Sequence, residues 1–92
     1  MDYLGRIAAA NGNTIVNDAT EYEGRFDSIY FAEATVVARI EVDGVTATDE
    51  KATYITNPAT AVVGGITLTP KPPHKFFSAI TLTSGSVVTN NK

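Results

Sequence analysis

The chain has no cysteine among its 92 residues, so neither a disulfide staple nor a thiolate metal site is open to it. That absence fits either redox compartment. Leucine occurs only at Leu4, Leu68 and Leu82. Helical bundles want leucine on their packed faces, whereas sheets take β-branched residues. His74 is the single histidine. A histidine base needs a nucleophile and an orienting acid beside it; no such set is apparent, and an enzyme is the least favoured class. No run approaches the roughly 20 apolar residues of a membrane-spanning helix. The opening Met1-Asp2-Tyr3-Leu4-Gly5-Arg6 lacks a basic start followed by an apolar core, so no signal peptide is expected. Basic residues are scattered and the formal net charge is −3. This disfavours nucleic acid, whose phosphates need a cationic patch. Val63-Gly64-Gly65-Ile66 lacks the lysine and following helix of a phosphate-binding loop. No cofactor and no metal motif of His or Cys is suggested.

What remains is a β vocabulary of threonine, valine, alanine and glycine, on a length that suits one domain spanning residues 1–92. In Lys75-Phe76-Phe77-Ser78-Ala79-Ile80-Thr81-Leu82-Thr83, one parity holds Phe76, Ser78, Ile80 and Leu82 and the other holds Phe77, Ala79, Thr81 and Thr83. Period two reads as a strand with an apolar face and a threonine face. A threonine face also suits a flat ice-binding array, although threonine is simply a good strand residue. Ser84-Gly85-Ser86 is a turn signal, and Val87-Val88 begins a last strand. Ile66-Thr67-Leu68-Thr69 repeats Ile80-Thr81-Leu82-Thr83, and two such strands are expected to pair and share an apolar face.

In chain order, Asn11-Gly12 signals a hairpin turn before a short strand, Asn13-Thr14-Ile15-Val16. Residues 1–16 therefore read as an N-terminal arm or hairpin. Asp18, Glu21 and Glu23 sit in a polar stretch, read as a solvated loop in preference to an oxygen-ligand cation site. Phe26, Ile29, Tyr30 and Phe31 are the densest aromatic cluster, read as core in preference to a stacking surface. Val36, Ala38, Ile40 and Val42 are expected on one face of a strand, with Val37, Arg39 and Glu41 on the other. Asp43-Gly44 predicts a hairpin with Val45-Thr46-Ala47-Thr48 returning. A metal gathered by Asp43, Asp49 and Glu50 is the minor reading of that acidic group. Thr53-Tyr54-Ile55-Thr56 reads as a strand ended by Asn57-Pro58. Pro70-Lys71-Pro72-Pro73 reads as a stiff polyproline connection, and Asn90-Asn91-Lys92 as a polar end without structure.

The order of segments also resembles a family. An apolar-aromatic entry from Phe26 to Phe31, Glu33-Ala34-Thr35-Val36, Val63-Gly64-Gly65-Ile66 and the close Phe77-Ser78-Ala79-Ile80-Thr81-Leu82-Thr83-Ser84-Gly85-Ser86-Val87-Val88 are similar to small tailed-bacteriophage virion proteins, among them capsid cement or decoration proteins. The resemblance spans residues 26–89. It implies an all-β fold, a small antiparallel β-sandwich or jelly-roll-like barrel. It implies a non-enzymatic structural protein on the outer surface of the virion, made in the host cytoplasm. Its partners would be the major capsid protein and further copies of itself, as a trimer or dimer. Neither nucleic acid nor membrane is expected as a partner. Tyr3, Leu4, Tyr22, Pro72, Pro73 and Phe76 are the expected contact residues, as apolar groups on edges and loops. Two other readings stand beside it: a tail, fibre or head–tail connector subunit, and a carbohydrate-binding β module stacking sugars on Tyr22, Tyr30 or Tyr54.

Overall fold

The structure is a computed structural model that describes residues 12–92. The expected arm or hairpin over residues 1–16 lies outside the described residues up to position 11, as do Tyr3 and Leu4. Six strands and one helical turn follow: β1 Asn13–Val16, β2 Tyr22–Phe31, β3 Val36–Val42, α1 Lys51–Tyr54, β4 Thr67–Leu68, β5 Phe77–Ser84 and β6 Val87–Asn91. All strand pairs are antiparallel, in the order β1-β6-β2-β5-β3, with β4 attached to β2. The expected all-β antiparallel class is what the chain adopts.

β2 organises the sheet. Its first half pairs with β5, at Tyr22↔Ile80 and Phe26↔Phe77, and its second half pairs with β6, ending at Phe31↔Val87. A straight strand from Tyr22 to Phe31 would run about 30 Å. β5 runs on beyond Ile80 to Ser84, away from Phe31, and only three residues of chain, at most roughly 11 Å, then join Ser84 to Val87. β2 must therefore bend. The bend falls where its register breaks, between Glu23 and Phe26 and between Phe26 and Ser28, as bulges bend strands elsewhere. The two halves of the sheet fold toward each other in a sandwich-like arrangement. Between them lie Val16, Phe26, Ile29, Phe31, Val37, Ile40, Val42, Phe77, Ile80, Leu82 and Val87. Phe26 and Phe77 meet with ring centroids 6.0 Å apart. Each fully buried phenylalanine contributes on the order of 1.5–3 kcal/mol of transfer free energy.

The turn at Gly85 closes the bend. Gly85 has φ +92, and a β-carbon there would lie 2.3 Å from Thr35 Oγ1 and 2.6 Å from the Ala34 carbonyl oxygen. Only glycine fits. The buried Thr35 hydroxyl in turn accepts the Ser86 amide at 3.2 Å.

Several local expectations change on contact with the rest of the chain. β3 breaks register three times against β5, so its faces do not alternate cleanly. Val37, Ile40 and Val42 are buried, and Glu41, expected outside, is buried as well. The same irregularity in β5 buries Phe77 and Ala79 alongside Ile80 and Leu82 and leaves Phe76 half-buried. Asp43 and Gly44 do form a tight turn, both with positive φ and closed by Val45 N–H to the Val42 carbonyl at 2.9 Å. Residues 45–48 form no strand, because Asp49 and Glu50 already occupy the open edge of β3 at Ile40. Residues 53–56 are not a strand either. The Asp49 carboxylate accepts the Lys51 amide and starts helix α1, which packs on β3. Thr67 and Leu68 pair with β2 and not with β5, whose two edges are taken by β2 and β3. Residues 70–73 are no extended polyproline segment; they turn, with His74 N–H donating to the Lys71 carbonyl at 2.7 Å. Asn90 and Asn91, expected as an unstructured end, belong to β6 between β1 and β2.

Candidate interaction surface

Strand register places side chains in rows, because directly opposed residues project to the same face. Ile15 opposes Val88, and Val88 opposes Tyr30, which opposes Thr67 on β4. This row lies on the outside of the β1–β6–β2–β4 half. Ile15 is 67% and Tyr30 42% exposed, with Val88 half-buried between them. The adjoining row, Asn13–Asn90–Ser28, is polar, and Asn90 Nδ2 donates to Ser28 Oγ. Val63 and Ile66, in the loop that leads to β4, are also exposed. Among the described residues no strand pairs with the outer edge of β1. β3, the other edge strand, is covered by Asp49, Glu50 and a bridge from Thr35 to Val62.

Beside β1 an open cleft of about 220 Å³ is lined by Thr14, Ile15, Asp18, Thr20, Glu21 and Tyr22, among others. Glu21 is held above its ordinary pKa by desolvation, then by the carboxylates of Glu41 and Glu23. Glu23 and Glu41 both oppose Ala79, one on each side of β5. Arg39 Nε donates to Glu41 at 2.8 Å and its Nη2 to the Thr46 carbonyl at 2.7 Å. The Glu41 hydrogen bond pushes the Arg39 pKa up. Asp49 is spent on the Ile40 and Lys51 amides, and Asp43 on those of Lys75 and Phe76. Among the described residues no group of three or more His, Asp or Glu side chains is placed to hold a metal ion. No helix among them is long and apolar enough to cross a membrane.

The described contact residues expected from sequence differ in exposure. Tyr22 is half-buried: its ring stacks on Phe26 at 5.5 Å and its hydroxyl bonds Thr14 and Asn91. Pro72 and Pro73 are exposed at the turn, and Phe76 is half-buried beneath the Arg25 guanidinium, 4.1 Å from its ring centre. Of the three candidate stacking tyrosines, Tyr22 and Tyr54 have their hydroxyls engaged inside the fold, and Tyr30 stands on the open face. The Ile15–Val88–Tyr30 row was not visible in the sequence. Ile15-Val16 and Val87-Val88 are each two apolar residues in succession, and only the register says which member faces outward. Comparison with protein-family models, with curated proteins and with solved structures finds no match for this chain.

Proposed function

We propose that the chain is a non-enzymatic structural protein of a bacteriophage virion, a cement or decoration protein that binds the outside of the head and bridges neighbouring capsomers. The observation that carries the reading is the exposed Ile15–Val88–Tyr30 row on a small all-β subunit, joined to the resemblance across residues 26–89. Apolar side chains gathered on an open sheet face mark an interaction surface more often than a solvated one. A ligand that binds only the assembled shell stabilises it by mass action. The partners are the major capsid protein and further copies of this chain.

The test is the copy number of the chain relative to the major shell protein in purified particles. The reading expects a ratio near one or a simple fraction of it. A handful of copies per particle moves the protein to the tail or neck. Absence from particles overturns the virion reading altogether, and glycan binding through Tyr30 is then the first alternative to measure.

A further inference from the structure

The outer edge of β1 is unpaired among the described residues, and its hydrogen-bonding phase is fixed. In an antiparallel ladder each residue sends its N–H and C=O to the same side, and successive residues alternate. The Asn91 N–H donates to the Gly12 carbonyl at 2.8 Å, and Asn13 opposes Asn90. Gly12, Thr14 and Val16 therefore turn their backbone groups to β6, and Asn13 and Ile15 turn theirs to the outer edge. The chain reaches β1 through Asn11-Gly12, the pair favoured in a type I′ hairpin turn. Gly12 has φ +78, the sign that turn requires at its second central residue. A two-residue loop at Asn11-Gly12 makes Ala10 and Asn13 a hydrogen-bonded pair. Asn13 is one of the two β1 residues whose backbone groups point that way.

We propose that residues 6–10 pair antiparallel with the outer edge of β1, as a further strand of this sheet entered from the Asn11-Gly12 turn. The register follows from the loop: Ala10 opposes Asn13, Ala8 opposes Ile15 and Ile7 opposes Val16. Opposed residues share a face, so Ile7 falls on the buried side with Val16, at the cleft that Val16 and Tyr22 line. Asp18 and Glu21 wall that cleft, and no basic residue among the described ones lines it. In the same register Arg6 comes beside Asn17, and it is the one basic residue ahead of Arg25, so its charge meets those carboxylates. Ala8 extends the exposed Ile15–Val88–Tyr30 row by one small side chain. An open edge invites pairing with other chains; with this strand in place the sheet offers partners its face instead. The strand belongs to the chain itself and stands whether or not the chain binds a shell.

NMR of the whole chain tests it. Ala9 and Thr14 form a non-hydrogen-bonded pair in this register, so their Hα protons should give a cross-strand contact. The Asn13 and Ile15 amides should exchange slowly with deuterium. Ala8→Pro removes a donor aimed at Ile15 and should speed exchange of the Ile15 amide by about tenfold or more. Ala9→Pro loses an N–H that faces away from β1 and should leave that rate unchanged. Fast exchange at Asn13 and Ile15 in the native chain, or the lack of an Ala9–Thr14 contact, overturns the proposal. So does a contact seen only between differently labelled molecules in a mixed sample, which puts a second copy on the edge. The native-chain measurements decide even if a variant does not fold.

Discussion

The Tyr22 hydroxyl donates to Asn91 Oδ1 at 3.2 Å, tying the start of β2 to the last strand across 69 residues of chain. Asn91 Nδ2 donates to Thr14 Oγ1 at 3.0 Å, and Thr14 Oγ1 lies 3.1 Å from the Tyr22 oxygen. With Tyr22 donating to Asn91, Thr14 donates to Tyr22, and the three side chains close a ring of hydrogen bonds joining β1, β2 and β6. Partly buried bonds of this kind contribute about 1 kcal/mol each, and members of one network do not add. Tyr22→Phe and Asn91→Ala are each expected to lower stability by about 1–2 kcal/mol. The double variant should cost less than the sum, read from urea unfolding midpoints.

Gly85 and Gly44 both have positive φ, but only Gly85 faces crowded backbone. Gly44→Ala carries the left-handed penalty alone, about 1 kcal/mol. Gly85→Ala adds the clash with Ala34 and Thr35 and should cost at least about 2 kcal/mol. Thermal unfolding of the two variants separates these cases. Equal losses would show that the turn relaxes.

Adjacent phenylalanines should behave differently. Phe77 is fully buried, with the Phe26 and Tyr54 rings against it, and Phe77→Ala is expected to cost about 3–5 kcal/mol. Phe76 is half-buried under Arg25, and Phe76→Ala should cost about 1 kcal/mol or less. Chemical denaturation of both variants checks the face assignment of β5.

Asp43 gives the fold an acid-sensitive joint. Its carboxyl is held below the ordinary range by the Lys75 amide first, with the Phe76 amide and the charges of His74 and Lys75 acting the same way. A lowered folded-state pKa means stability that is present above the unfolded value and lost as pH falls through the folded one. The loss is expected below about pH 4. Asp43→Asn keeps a residue that tolerates the left-handed backbone and should flatten the stability curve in that window. Glu21 works in the opposite sense. Its raised pKa means stability is gained as pH falls through the folded-state value and lost as it rises, so Glu21→Gln should remove that gain. Unfolding midpoints across an acid series resolve the two signs.

The exposed row can be broken without touching the core. Ile15→Lys and Tyr30→Lys are expected to change stability by no more than about 0.5 kcal/mol and, on the proposed shell-binding reading, to abolish co-sedimentation with shells. Retained binding would move the interface to another face.

The class of fold was legible because β-branched alternation and glycine turns are local signals. Asn13–Val16, Val36–Val42, Thr67–Leu68 and Phe77–Ser84 all fall where the pattern places strands. Faces were less legible. The register breaks in β2, β3 and β5 arise from bending the sheet over its core, and no local pattern encodes them. They account for the burial of Glu41 and Ala79. The helix at Lys51–Tyr54 answers to Asp49, whose carboxylate is committed to Ile40 nine residues earlier in the chain. The Ile15–Val88–Tyr30 row required knowing that β6 lies between β1 and β2, which is a fact about distant parts of the chain.

That placement also fixes the order in which the molecule can be finished. β6 is the latest of the six described strands in sequence, yet β1 joins the sheet only by pairing with it. Asn13 waits for Asn90, and Ile29 for Thr89. β1 can therefore enter the sheet only once residues 87–91 are available to pair with it. Contacts at such sequence separation slow folding, so the β1–β6 ladder is expected among the late steps in forming the sheet.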